Sequence, residues 1–228
     1  MTRARIVITG VGGVSGAGRD PEAMLDAIID GRSAIRPIES FDTTGWPVTE
    51  AAEIVDFNAR TLVDDRKLHK LIRRTDMLGI YAGDRAAAAA GYAAYRDTLA
   101  TDESALFADR TGIYVGSGAG AFENQHDFFP LMSETKGDLQ AFGRNLADTV
   151  NPMWLLRTLP NNVLCHVGIR NRLKGTNACI TNHSVGGALA VIEATEALRN
   201  GEADRALAIG HDTPIEPQNV LYYHACGL

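Results

Sequence analysis

Apolar residues recur along this chain with two periods, which predict helices and buried strands in alternation. Segments with helical spacing span 20–30, 76–90 and 185–200. Short apolar, strand-like runs next to glycine span 6–9, 110–115, 177–181 and 203–210. Because strands and helices alternate, we expect an α/β sheet.

The first of these runs, Ile6-Val7-Ile8-Thr9, predicts a buried strand followed by a glycine-rich loop. The loop resembles a nucleotide-binding turn only in part. The G-x-G-x-x-G motif beginning at Gly10 would need a glycine where Ser15 stands, and the following helix begins only at Pro21. A plain connection between strand and helix is favoured, and a Rossmann-type oxidoreductase is a distant alternative.

Composition limits the classes of function that need to be considered. A chain of 228 residues with 45% hydrophobic side chains can bury a sizeable core, and we expect one domain over 1–228. The net charge of -6 argues against a nucleic-acid partner, which would need clustered positive charge. No apolar run is long enough for a signal peptide or a membrane span, so we expect no membrane partner.

The cysteines predict a reducing compartment, the cytoplasm. There are 3 cysteines, an odd number without a C-x-x-C pair, which indicates neither a disulfide framework nor a zinc site. We therefore expect no metal.

A basic segment follows Asp64 and carries Lys70, Arg73 and Arg74. Its leucines and isoleucine fall on one helical face, which predicts an amphipathic helix. The basic side chains then form either a solvated face or a docking surface for an acidic partner.

Aromatic residues are concentrated between 121 and 165, where prolines divide the chain into short helices and loops. They include Phe122, Phe128, Phe129 and Trp154. These side chains could line a pocket for an apolar ligand, although packing in the core explains such residues more often.

Further marks stand in a fixed order along the chain. They are 7–10, 41–43, 55–58, Arg74 with Asp76, 116–118, Asn161, His166, 173–175 and 201–204. In this order and spacing the sequence resembles the β-ketoacyl-acyl carrier protein synthases, condensing enzymes with the thiolase-like fold. The resemblance covers the whole chain and implies the N-terminal half of that fold, with α-β-α layers around a mixed sheet.

The resemblance implies acyl transfer and carbon-carbon condensation in fatty-acid or polyketide biosynthesis. Its implied partners are an acyl carrier protein, docked at Lys70, Arg73 and Arg74, and a second ketosynthase-like subunit in a homodimer or heterodimer. Dimerisation would use the strand at 177–181 and the helix from Asp76. We expect no cofactor on the chain itself, because phosphopantetheine arrives on the carrier protein.

In the family a nucleophilic cysteine stands at the corner between strand and helix, and here that position is Ser184. Aligning Ser184 with the nucleophile leaves no gap on either side, whereas Cys179 would need compensating insertions. Cys179 is therefore assigned to the strand interior. A serine needs a positioned general base, and His183 is either that base or a packing residue.

The motifs that the resemblance implies for the later half of the family fold, including two histidines for decarboxylation, are absent. We therefore expect a non-condensing partner or accessory subunit similar to a chain length factor. A Ser-dependent acyltransferase or thioesterase completed by a second chain stays open, as does a fragment of a full-length ketosynthase.

Overall fold

The computed structural model describes residues 5–56, 58–118 and 128–227. The helices in these ranges are α1 (Pro21–Ile29), α2 (Ala59–Leu62), α3 (Arg74–Ala89), α4 (Tyr92–Arg96), α5 (Thr101–Asp109), α6 (Phe129–Thr135), α7 (Leu139–Thr149), α8 (Trp154–Thr158), α9 (Asn162–Asn171), α10 (Gly186–Arg199) and α11 (Pro217–Ala225). The strands are β1 (Arg36–Pro37), β2 (Glu50–Ala51), β3 (Thr111–Ser117), β4 (Asn177–Thr181) and β5 (Arg205–His211).

A three-stranded sheet in the order β4-β3-β5 forms the centre of the fold. Both pairings are parallel, with Val115 of β3 opposite Cys179 of β4 and Ile209 of β5. The fold is therefore α/β, as predicted. The antiparallel pair β1-β2 lies in a separate sheet.

Helices cover both faces of the central sheet. Side chains alternate between the faces along each strand, so Ile113 and Val115 pack with α3 and α9, whereas Tyr114 packs with alanines of α10. The larger cluster is fully apolar and includes Ile72, Ile80, Val163, Val167 and Ile209. The helices on the two faces, α3 and α9 on one side and α10 on the other, hold the carboxyl ends of the strands in fixed positions.

The predicted helices at 20–30, 76–90 and 185–200 are confirmed as α1, α3 and α10. The strands predicted from the apolar runs at 110–115, 177–181 and 203–210 are confirmed as β3, β4 and β5. The basic segment after Asp64 forms only a short 3-10 turn at Leu68–Lys70, so the amphipathic helix predicted there is wrong.

The buried strand predicted at 6–9 is also wrong. No described strand pairs with it, and Val7 and Ile8 are 66% and 86% exposed. The backbone instead approaches α3, where Gly10 and Gly12 lie against the main chain at Ala82 and Ala86. Small alanines permit this close approach, but they leave the β-branched side chains of the segment uncovered.

Candidate functional site

The connection between β4 and α10 forms a sharp corner that carries Ser184. A 3-10 turn spans His183–Val185, and α10 begins at Gly186. His183 has a φ of 42°, a left-handed conformation that costs a non-glycine residue about 1–3 kcal/mol. Ser184 is exposed just before the positive end of the α10 dipole.

Glycines bring the start of α10 into direct contact with the sheet. A Cβ added to Gly116 would overlap the backbone of Gly186 and Gly187, and one added to Gly210 would lie 2.9 Å from the Cα of Gly187. Because main-chain atoms of α10 contact main-chain atoms of β3 and β5 here, backbone contacts fix the position of the corner.

The side chain of His183 is turned toward α11. Its ring stacks on Tyr222, with centroids 6.4 Å apart and planes at 12°. Among the described residues no side-chain hydrogen bond to Ser184 is formed, so this conformation supplies no positioned base for the hydroxyl.

A buried polar cluster lies on the opposite face of the sheet, at the start of α3. Asp76 is fully buried and accepts from the Arg73 backbone N–H at 2.9 Å, from the Arg73 guanidinium at 3.3 Å and from Asn162 Nδ2 at 3.2 Å. The carboxylate thus fixes the first turn of α3 and links it to α9.

His211, at the end of β5, adjoins this cluster. Its Nδ1 lies 3.1 Å from Thr75 Oγ1, and its buried Nε2 has no hydrogen-bond partner in the described residues. Burial lowers the pKa of His211, although Asp76 acts in the opposite direction. Sequence reasoning did not select His211, but its position directly after an apolar strand could have marked it, because functional side chains often lie at the carboxyl ends of parallel strands.

The neutral His211 predicts a stability that depends on pH. An unfolded histidine has a pKa near 6.5, above that of folded His211, so the unfolded chain binds the proton first and stability falls as pH drops below about 6.5. We expect the urea midpoint to fall less between about pH 7.5 and 5.5 in His211→Phe than in the wild type. The exposed His224→Gln variant should keep the wild-type slope. Equal slopes for all three proteins would contradict this assignment.

The three candidate docking residues are placed in different environments. Lys70 is exposed, whereas Arg74 is half-buried and donates to the Ile54 carbonyl at 2.5 Å. Arg73 is buried and its guanidinium is held by Asp76, so the expectation that it lies on a docking surface is corrected. Docking at Lys70 stays a prediction, and Lys70 lies near the exposed side chains of Arg66 and Lys67.

The aromatic residues predicted to line an acyl pocket are only partly brought together. Phe128 and Trp154 meet edge to face with centroids 5.1 Å apart, whereas Phe129 is 42% exposed. Phe122 lies outside the described residues. A cavity of about 750 Å³ lies elsewhere, lined by Phe41, Ile54, Arg74, Leu78 and Asp212 among others. The acyl pocket therefore stays a prediction.

The described ranges hold neither a metal site nor a membrane-spanning helix. They contain no group of three or more His, Cys, Asp or Glu side chains placed to hold a metal ion. They also contain no helix with the length and apolar character that crossing a bilayer requires.

The sequence matches a family over nearly its whole length. The family model described as "Beta-ketoacyl synthase, N-terminal domain" matches residues 3–228. The chain is 28% identical over 221 residues to 3-oxoacyl-[acyl-carrier-protein] synthase 2 of Coxiella burnetii, covering 96% of this chain and 48% of the relative. It is 28% identical over 227 residues to the chloroplastic 3-oxoacyl-[acyl-carrier-protein] synthase I of Hordeum vulgare, covering 98% and 45%. The chain thus spans about half the length of these curated relatives.

Solved structures share the fold. The ishigamide ketosynthase/chain length factor superposes with a TM-score of 0.77 at 22% identity, over 99% of this chain and 51% of that one. A β-ketoacyl synthase from Burkholderia phymatum gives a TM-score of 0.62 at 26% identity, over 87% and 44%. These similarities confirm the thiolase-like fold that the sequence marks imply.

Proposed function

Because this chain belongs to the β-ketoacyl synthase family through its N-terminal domain, we propose that it is a ketosynthase-like subunit of fatty-acid or polyketide biosynthesis. By itself the subunit does not catalyse the carbon-carbon condensation. Its relatives are 3-oxoacyl-[acyl-carrier-protein] synthases, about twice as long as this chain. The proposed role is that of an accessory subunit paired with a ketosynthase-like chain. The pairing is supported by the similarity in fold to a ketosynthase/chain length factor.

The environment of Ser184 carries this proposal. The hydroxyl stands exposed at the corner and has no base bonded to it in the described residues, while the neighbouring His183 ring is stacked on Tyr222. A helix dipole lowers the pKa of a thiol enough to form a thiolate, but a serine hydroxyl starts too high for that effect to ionise it. We therefore expect Ser184 to stay unacylated.

The test is incubation with an acyl-carrier-protein thioester, followed by intact-mass measurement of the chain. The wild type should gain no acyl group, whereas Ser184→Cys should gain one, because the thiol would sit at the helix start. Val185→Cys, which places a thiol one residue later, is the matched control for position and should react at least tenfold more slowly.

Docking of the carrier protein can be measured in the same assay. In the Ser184→Cys background, Lys70→Glu should slow acylation several-fold at low salt, because it reverses a charge that would attract the acidic carrier. Lys136→Glu makes the same charge change at the exposed residue that follows α6 and should have little effect. Equal rates for both would remove Lys70 from the docking surface.

A second candidate function is acyl transfer by Ser184 itself, with the remaining groups supplied by another chain. The exposed hydroxyl next to the first turn of α10 favours it. An acyl adduct on the wild type that Ser184→Ala abolishes would establish this function and exclude the non-catalytic one.

A further inference from the structure

We propose that Cys165 and Cys179 form a reversible intrachain disulfide when a peroxide oxidises the protein. Cys165 lies in α9 and Cys179 in β4, and both are free, half-buried thiols. The inference is independent of the proposed function. It is compatible with a reducing compartment, where disulfides are rare and mostly transient or redox-sensing.

Both sulfurs lie at the turn that leads into α9. Cys179 Sγ donates to the Pro160 carbonyl at 3.4 Å, and Cys165 Sγ accepts from Asn161 Nδ2 at 3.5 Å. Pro160 and Asn161 are consecutive, so two adjacent residues contact the two cysteines, one through its carbonyl group and the other through its side-chain amide. Cys179 is also paired with Val115, which packs with α9, so the cysteine side chain faces that helix.

The surroundings assign different roles to the two thiols. Burial and the nearby Cys165 both raise the pKa of Cys179, which keeps its thiol protonated. Cys165 Sγ has a different neighbour, the Asn161 side-chain amide, which donates to it. Cys165 is therefore the sulfur that attacks the peroxide, and Cys179 resolves the product.

The chemistry needs only the peroxide as oxidant. The Cys165 thiolate attacks one peroxide oxygen, the O–O bond breaks, and a sulfenic acid and hydroxide form. The Cys179 sulfur then displaces the sulfenic hydroxyl, which leaves as water with the Cys179 proton. In total two thiols lose two electrons, hydrogen peroxide gains them, and two water molecules form. The bond would fasten the edge strand β4 to α9.

Hydrogen peroxide treatment of the reduced full-length chain tests the proposal. The wild type and the Cys226→Ser control should lose about 2 Da, and digestion without reductant should give a peptide joining Cys165 to Cys179. Because the bridge closes a loop, the melting temperature should rise by roughly 5 °C, and dithiothreitol should reverse the rise. In Cys179→Ser, dimedone should trap a sulfenic acid on Cys165.

Three results would overturn the proposal. One is an oxidised wild type in which both thiols still react with iodoacetamide. The second is a linked peptide that involves Cys226 instead, and the third is a Cys165–Cys179 bridge that forms only in denaturant. Near-UV circular dichroism before oxidation verifies that each variant is folded, so that a failure to link cannot be ascribed to an unfolded chain.

Discussion

Replacing Gly116 with alanine is expected to destabilise the protein by roughly 3 kcal/mol or more. The added Cβ would overlap the carbonyl group of Gly186 and the nitrogen of Gly187. Backbone cannot rotate away as a side chain can, so α10 would have to move off the sheet. Urea unfolding followed by circular dichroism measures the change.

Gly143→Ala is the matched control for this substitution. Gly143 lies in the exposed face of α7 and has nothing within 4 Å of an added Cβ. There alanine should stabilise the helix by about 0.5–1 kcal/mol, because it removes the entropic cost of glycine. If both variants unfold at the wild-type urea concentration, α10 does not contact β3 as described.

The second large effect is expected for Asp76→Ala, which should cost about 3–5 kcal/mol of folding free energy. Asp76 and Arg73 have side chains only 0% and 7% exposed, so removal of the carboxylate leaves a buried guanidinium without its counter-charge. It also deprives Asn162 of an acceptor and the first turn of α3 of its cap.

Asp64→Ala gives the comparison for an exposed ion pair. Asp64 pairs with Arg170 at 3.2 Å, but its side chain is 87% exposed, and we expect almost no change in the unfolding midpoint. The double variant Arg73→Met with Asp76→Leu should recover much of the lost stability, since replacing both charges leaves none unpaired. A single Asp76→Ala that unfolds like Asp64→Ala would show that the buried pair does not contribute.

The main helices and three of the four predicted strands could be predicted from the sequence. In each of them the apolar positions along the chain are the positions that become buried, or the flanking residues mark the ends of the element. The helix at 185–200 has a glycine after its end, and β5 is a short apolar run between polar residues. The strand at 6–9 has an equally good pattern, but strand formation also needs a partner edge, and the sequence does not state which segments become neighbours.

Some features of the candidate site could likewise be predicted from the sequence, and others could not. The resemblance to the family assigned Ser184 to the corner, since the distances along the chain to the surrounding family marks can be counted in the sequence. The burial of Arg73 could not be read from its charge, because it depends on Asp76 bending back over the first turn of α3. The stack of His183 on Tyr222 joins two segments far apart in the chain, and no local signal predicts it.

The glycine contacts beneath α10 restrict how this corner can diverge between related proteins. Gly116, Gly186, Gly187 and Gly210 leave little or no space for a side chain, so their replacement would move the helix. His183 and Ser184 stand outside that contact and are exposed. A change of side chain at 184 therefore need not displace α10, so the chemistry of this exposed corner can vary while the helix keeps its position on the sheet.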